Sequence, residues 1–165
     1  MSVVARALTA EAYAPFGGVI EADPGAPPAN QGTARRRNRV VDVASTRADA
    51  PLNVAVFRCA PRQLPFSIRL LEKHPCSTQA FVPMAATRYL VVVARGDDTP
   101  DLGTLRVFVA SGRQGISYHP GIWHHPMIAL DAETDFACLV HEDGSADDCV
   151  EWPLPEPIEI TGVDP

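Results

Sequence analysis

From residue 53 onward, short apolar runs follow one another: NVAVFRCA, SIRLLEKH, TQAFVPM, RYLVVVAR, LRVFVAS, GISYH, WHHPMIAL and DFACLVHE. Between them lie PRQLP, HPCS, GDDTPD, SGRQG, HPG and DAET, supplying the Gly, Pro, Asp and Ser that turns use. Strand-length runs punctuated at near-regular spacing predict an antiparallel sandwich or small barrel. Upstream, Thr9 is placed to cap a short helix through AEAYA, which Pro15 and the Gly17–Gly18 pair would end. GVIEA then reads as a strand. Residues 23–39 are too polar and too rich in Pro and Gly for a core element and read as a long loop. The tail EWPLPEPIEI reads as an extended segment along a sheet edge or against a partner subunit. No internal repeat or linker divides the chain. The expectation is one all-β domain over residues 1–165, a barrel or sandwich with a short N-terminal helix.

Composition narrows the setting. A chain of 165 residues with 46% hydrophobic content can bury roughly two thirds of its unfolded surface. The formal charge of -6 and pI near 5.3 argue against nucleic acid as the partner, because phosphate neutralisation needs a basic face. A small molecule fits better. The cysteines at 59, 76, 138 and 149 form no CxxC pair, so neither a structural zinc site nor a redox dithiol is written in the sequence and reduced thiols are expected. The N-terminal stretch, with Arg6 and Glu11 inside it, is poor material for a signal peptide. No segment approaches the roughly 20 apolar residues of a membrane span, so the expected location is the cytoplasm.

Chemistry concentrates where histidine does. Three of the five histidines, His119, His124 and His125, fall within SYHPGIWHHPM. In LLEKHP, strand alternation puts Glu72 and His74 on one face and Lys73 on the other. Gln79 follows just across the His-Pro turn. In WHHP, adjacency sends His124 and His125 to opposite faces, so both serve one pocket only if the strand is bulged. Glu72-x-His74-x4-Gln79-x6-Ala86 falls on the first cupin motif from its HxH onward, with Glu for the first His, Gln for Glu and Ala for the closing Gly. Gly121-x2-His124 falls on the second, with His119 where that motif has Pro.

The wording of these segments is more specific than their spacing. LEKHPCSTQAFVPM, VVVARGDDTPDLGTLRVFVASGRQGISYHPGIWHHPM and the following TDF resemble the ureidoglycolate lyase family, cupin-type enzymes of allantoin breakdown formerly called hydrolases. The resemblance extends over nearly the whole chain. It implies a cupin-like barrel, cleavage of (S)-ureidoglycolate to glyoxylate and urea, a homodimer and a nickel ion.

That reaction removes the proton of a hydroxyl and protonates departing urea, so a base and an acid must flank one carbon. A positioned acid or base contributes about 10²- to 10⁴-fold. Developing charge must be met by a metal, an arginine or oriented amides. Glu72, His74 and His124 are the expected catalytic groups. Arg36, Arg58, Gln79, His119 and His125 are the expected substrate-binding ones, with Arg36 or Arg58 suited to a bidentate grip on the carboxylate. Were a metal present, His74, His124, Glu72 and Gln79 would hold it, and borderline ions such as nickel or zinc suit imidazole. Metal-free acid–base catalysis is the alternative, since only two histidines stand in the ligand positions. Trp123 and Phe81 read as core aromatics and His141 as a surface residue. The rival readings are a ureidoglycolate amidohydrolase, a different metal-dependent cupin enzyme, and a non-catalytic small-acid-binding module.

Overall fold

The runs read as strands are strands in the computed structural model, which describes residues 1–164. In chain order they are β1 (Ser2–Ala7), β2 (Gly17–Ile20), β3 (Pro28–Ala29), β4 (Ala34–Arg35), β5 (Leu52–Cys59), β6 (Phe66–Lys73), β7 (Gln79–Ala85), β8 (Arg88–Arg95), β9 (Asp101–Ser111), β10 (Gly115–Tyr118), β11 (Trp123–His124), β12 (Ile128–Leu130), β13 (Thr134–His141) and β14 (Val150–Val163). The helix α1 covers Ala10–Tyr13, and Thr9 caps it by accepting from the Ala12 N–H at 3.2 Å.

Seven strands form one sheet in the order β11-β6-β14-β1-β9-β8-β12, and five form a second in the order β2-β10-β7-β13-β5. Short β11 also pairs with β8, which closes the first sheet into a ring: His124 lies opposite both Glu72 of β6 and Val93 of β8. The close approach of β2 to β10 depends on glycine, because a Cβ at Gly17 would lie 1.7 Å from the Ser117 carbonyl oxygen.

The central strand β8 is buried on both faces, which is why RYLVVVAR shows a continuous apolar run and no alternation. Leu90, Val92 and Ala94 join Ile68, Leu71 and Trp123 in one core, enclosed by the ring of the first sheet. Tyr89, Val91 and Val93 join Phe81, Phe136 and Tyr118 in a second core, between the two sheets. Each fully buried Val, Leu or Phe contributes about 1.5–3 kcal/mol from apolar burial, so both cores help to hold the chain in this register. The candidate catalytic residues line the second.

The structure corrects four details of the sequence reading. The tail does not lie at an edge: β14 sits between β6 and β1, antiparallel to the first and parallel to the second. Its prolines fit there because the ladder to β6 is interrupted between Pro153 and Ile158, so the missing N–H groups of Pro155 and Pro157 break no pairing. The first residues form β1, parallel to both β14 and β9, so the pairing is not antiparallel throughout. WHHPMIAL divides into β11 and β12, with Pro126 between them. The loop over 23–39 contains the two-residue strands β3 and β4 and a 3-10 turn over Asn30–Gly32.

The outward face of the second sheet is apolar where a solvent face is expected to be polar. On edge strand β5, Leu52, Val54 and Val56 are 48%, 63% and 65% exposed, and Met84 on β7 is 64% exposed. Leu139 and Ala137 of β13 lie beside Val54 and Val56 in register.

Candidate active site

Three strands and one turn bring the predicted groups together. Glu72 stands at the end of β6, His74 in the turn after it, Gln79 at the first position of β7, and His124 on β11 opposite Glu72. Alternation along β6 works as expected: Lys73 points away, donating to the Asp97 carbonyl at 2.6 Å with its ammonium 4.6 Å from the centre of the Trp123 ring. The Glu72, His74 and His124 side chains each offer a ligand atom, and these atoms all lie within 4.8 Å of one another.

Backbone carbonyls fix both imidazoles. His74 Nδ1 lies 2.6 Å from the Asp148 carbonyl oxygen, and His124 Nδ1 lies 2.9 Å from that of Ile122. A carbonyl only accepts, so each Nδ1 carries a proton and each Nε2 is left to face the site. Neither Nε2 has a hydrogen-bond partner among the described residues, although both are buried, and Gln79 Oε1 is buried and unpartnered too. His124 Nε2 and Glu72 Oε1 are 3.6 Å apart, close enough for charge to matter but beyond a good hydrogen bond. The Tyr118 ring stacks on His124, and the His74 ring lies 5.5 Å away, centre to centre, at 24°.

Burial sets the protonation states. It pushes the His74 pKa down, with the neighbouring His124 acting in the same direction, and the carbonyl bond and Glu72 only partly oppose this. Burial likewise lowers His125. For Glu72, burial alone would favour the neutral acid, but contact with His124 and the nearby His74 and His125 outweigh it and hold the carboxyl below its ordinary range. A neutral His74 beside an ionised Glu72 is therefore the state at neutral pH.

This donor set fits a divalent cation. Buried polar atoms without partners are costly, and here two imidazoles converge beside a carboxylate. A backbone carbonyl on the far ring nitrogen is the usual support for a metal-binding histidine. The residues that would hold an ion are Glu72, His74 and His124.

Of the other predicted residues, Arg36, Arg58 and His119 lie apart from this cluster. Arg58 is exposed on β5, where it grips Asp135 with two bonds of 2.8 and 2.9 Å. Arg36 lines a separate surface cavity with Glu21, Asp23 and Arg37. His119 is exposed after β10 and lines a groove with Arg39 and Asp42. His125 is half-buried beside the cluster, near enough to help hold the Glu72 carboxyl down, and lies edge-on to Phe66 at 5.9 Å with Nδ1 on the Pro126 carbonyl. His141 is also half-buried and holds the Ala50 carbonyl at 2.9 Å, so it is not a freely solvated surface residue. A cavity of about 550 Å³ is elsewhere again, between α1 and the face bearing Arg6, Arg95 and Arg106. Two groups beside the triad have no distinguishing mark in the sequence. Tyr118 reaches His124 only because β10 pairs with β7, opposite Gln79. Asp148 reaches His74 only through the fold of the loop after β13.

The family model described as ureidoglycolate lyase matches residues 1–161. The ureidoglycolate lyase of Pseudomonas entomophila (strain L48) is 38% identical over 151 residues, covering 90% of this chain and 89% of that protein. That of Pseudomonas fluorescens is 39% identical over 152 residues, 91% of this chain and 90% of the other. Among solved structures, a dTDP sugar isomerase from Desulfovibrio desulfuricans aligns over 86% of this chain and 87% of its own, with TM-score 0.49 and 16% identity.

Proposed function

The chain belongs to the ureidoglycolate lyase family, and from that premise we propose that it cleaves ureidoglycolate to glyoxylate and urea at the Glu72–His74–His124 cluster. The observation that carries the site assignment is the convergence of two buried, unpartnered imidazole Nε2 atoms on an ionised carboxylate. The reaction moves one proton from oxygen to nitrogen while the C–N bond breaks and the C=O bond forms. Glu72 takes the hydroxyl proton as that carbonyl forms, and the protonated carboxyl returns it to the departing ureido nitrogen. Atoms and charge balance without water or any second reactant. Gln79 Oε1 accepts from a ureido N–H and so orients the leaving group. The buried position of these groups excludes bulk water and strengthens each contact.

A divalent ion held by His74, His124 and Glu72 would supply Lewis-acid stabilisation to the substrate oxygens. Nickel is the ion that the family resemblance implies, and the imidazole nitrogens suit it as they suit other borderline metals such as zinc. Location in the cytoplasm and a role in allantoin breakdown belong to the same proposal. No helix among the described residues is long and apolar enough to cross a membrane.

The working unit in this proposal is a homodimer, with the apolar face of β5, β13 and β7 as the contact. Support comes from the exposed Leu52, Val54, Val56 and Met84 on one sheet face. The Arg58–Asp135 pair borders the same face and puts both signs of charge there, as a self-complementary two-fold contact requires.

The decisive assay follows products from ureidoglycolate in the absence of urease. Urea and glyoxylate should rise together, one for one, with no early ammonia. Ammonia in step with glyoxylate, without accumulated urea, would overturn the lyase proposal in favour of an amidohydrolase.

A further inference from the structure

We infer that Arg47 is a positioning residue for the His74 imidazole, acting through Asp148. The inference rests on the reading of His74 as a site group and adds what holds it in place.

The loop between β13 and β14 has little else to fix it. Residues 143–147 and Cys149 are exposed, and no apolar side chain between His141 and Val150 is buried. Yet this loop supplies the carbonyl that sets the His74 tautomer, at 2.6 Å. Its anchorage is polar and converges on one guanidinium. Arg47 Nη1 lies 2.8 Å from Asp143 Oδ1 and 2.9 Å from Ser145 Oγ, and Nη2 lies 2.5 Å from Asp148 Oδ1. The second Asp148 carboxylate oxygen accepts from the Gly144 and Asp143 N–H groups at 2.6 and 3.2 Å. With the carboxylate held from both sides, the Asp148 backbone has one orientation, and its carbonyl faces the imidazole.

Arg47 is itself tied to the segment that carries the site. The Thr46 N–H donates to the Cys76 carbonyl and the Thr78 N–H to the Ala44 carbonyl, both at 2.9 Å, and Ser45 bridges to Ser77. Cys76, Ser77 and Thr78 lie between His74 and Gln79. One arginine thus joins the turn bearing His74 to the loop bearing its carbonyl. The side chain is only 19% exposed and that of Asp148 14%, so solvent competes little for these bonds. Removing a group that orients a ligating histidine typically costs about 10- to 100-fold in metal affinity or activity.

The test reads the tautomer directly. Histidine labelled with nitrogen-15 is followed by NMR in chelator-treated full-length protein for the wild type, Arg47→Met, Arg47→Lys and, as control, Arg58→Met. Arg58→Met removes a two-bond guanidinium–carboxylate pair on β5, more exposed than that of Arg47 and remote from His74. The wild type and Arg58→Met should show His74 as a single Nδ1–H tautomer. Arg47→Met should give a tautomer mixture and weaken nickel binding, measured calorimetrically, by about 10- to 100-fold. Arg47→Lys, which keeps the charge and folds more readily, should fall between. A His74 signal unchanged in both Arg47 variants, or changed equally by Arg58→Met, would overturn the inference. Failure of the wild type to release urea would count against the proposed reaction and leave the tautomer result standing.

Discussion

The ring of Tyr118 lies flat on the imidazole of His124, with centroids 3.9 Å apart and planes 9° from parallel. Together with the Nδ1 bond to Ile122, this fixes both the plane and the rotation of the imidazole, so its Nε2 has one direction in which to act. The stack makes no use of the phenol, whose hydroxyl lies 3.6 Å from the Met127 sulfur. Tyr118→Phe should therefore keep most of the activity. Tyr118→Leu should lower kcat/KM at least tenfold and destabilise the fold by about 2–4 kcal/mol, within the range for truncating a buried aromatic. Equal losses in both variants would assign the effect to the hydroxyl and not to the ring.

Glu72→Gln and His124→Ala should each lower turnover at least tenfold, in line with the usual contribution of a positioned proton-transfer group. Circular dichroism and the urea midpoint separate this loss from misfolding. Wild-type rates in both variants would sink the site assignment.

Treatment of the wild type with a strong chelator should remove most of the activity, and a divalent ion should restore it, nickel first. Metal analysis of the active protein decides the matter. Full activity at well below one ion per chain would leave the imidazoles as acid–base and orienting groups alone.

The metal-free protein should lose stability on mild acidification. Histidines in the unfolded chain take up protons near pH 6.5, whereas burial holds His74 and His125 below that value in the fold. The unfolded state then binds more protons as pH drops below about 6.5, which favours unfolding. The contribution is fully present above that pH and is lost as pH falls toward the lowered folded values. Urea midpoints in chelator at pH 7.5 and 5.5 should differ, with the lower one at pH 5.5. Equal midpoints would contradict burial of these imidazoles in their neutral form.

Val54→Glu and Val56→Glu place charge on the exposed apolar face of β5, where neither side chain supports a core. Both should elute as monomers from a sizing column at micromolar concentration, with the wild type as dimer. A stable interface needs about 800 Å² from each partner, more than β5 alone offers, so Met84→Glu on β7 should act alike. Unchanged elution in all three would move the contact to another face.

Local physics made some of this legible in the sequence and hid the rest. Alternation along LLEKHP placed Glu72 and His74 together because period two is a property of the strand itself, and Thr9 was readable as a cap because its side chain acts within one turn. The pairing of β1 with β14 joins the two ends of the chain, and no local pattern announces a contact of that range. Pro155 and Pro157 suggest an edge for a sound reason, the absent N–H, but an interruption in the ladder serves equally well. Arg47 and Asp148 sit among polar residues in ASTRADA and EDGSADD, and nothing in charge or spacing sets them apart from Arg36 or Arg58. Only the loop geometry assigns Asp148 to His74.

Because β8 faces a core on either side, it leaves the chain no room for a frameshift in space. Sliding it by one residue against its neighbours would carry Tyr89, Val91 and Val93 into the cavity shaped for Leu90, Val92 and Ala94, and the reverse. The bulk of tyrosine would collide on one side while alanine left a void on the other. Single-residue insertions or deletions within Arg88–Arg95 should thus be the least tolerated in the chain. Its amides should also be the last to exchange with heavy water, since they open only when both cores come apart.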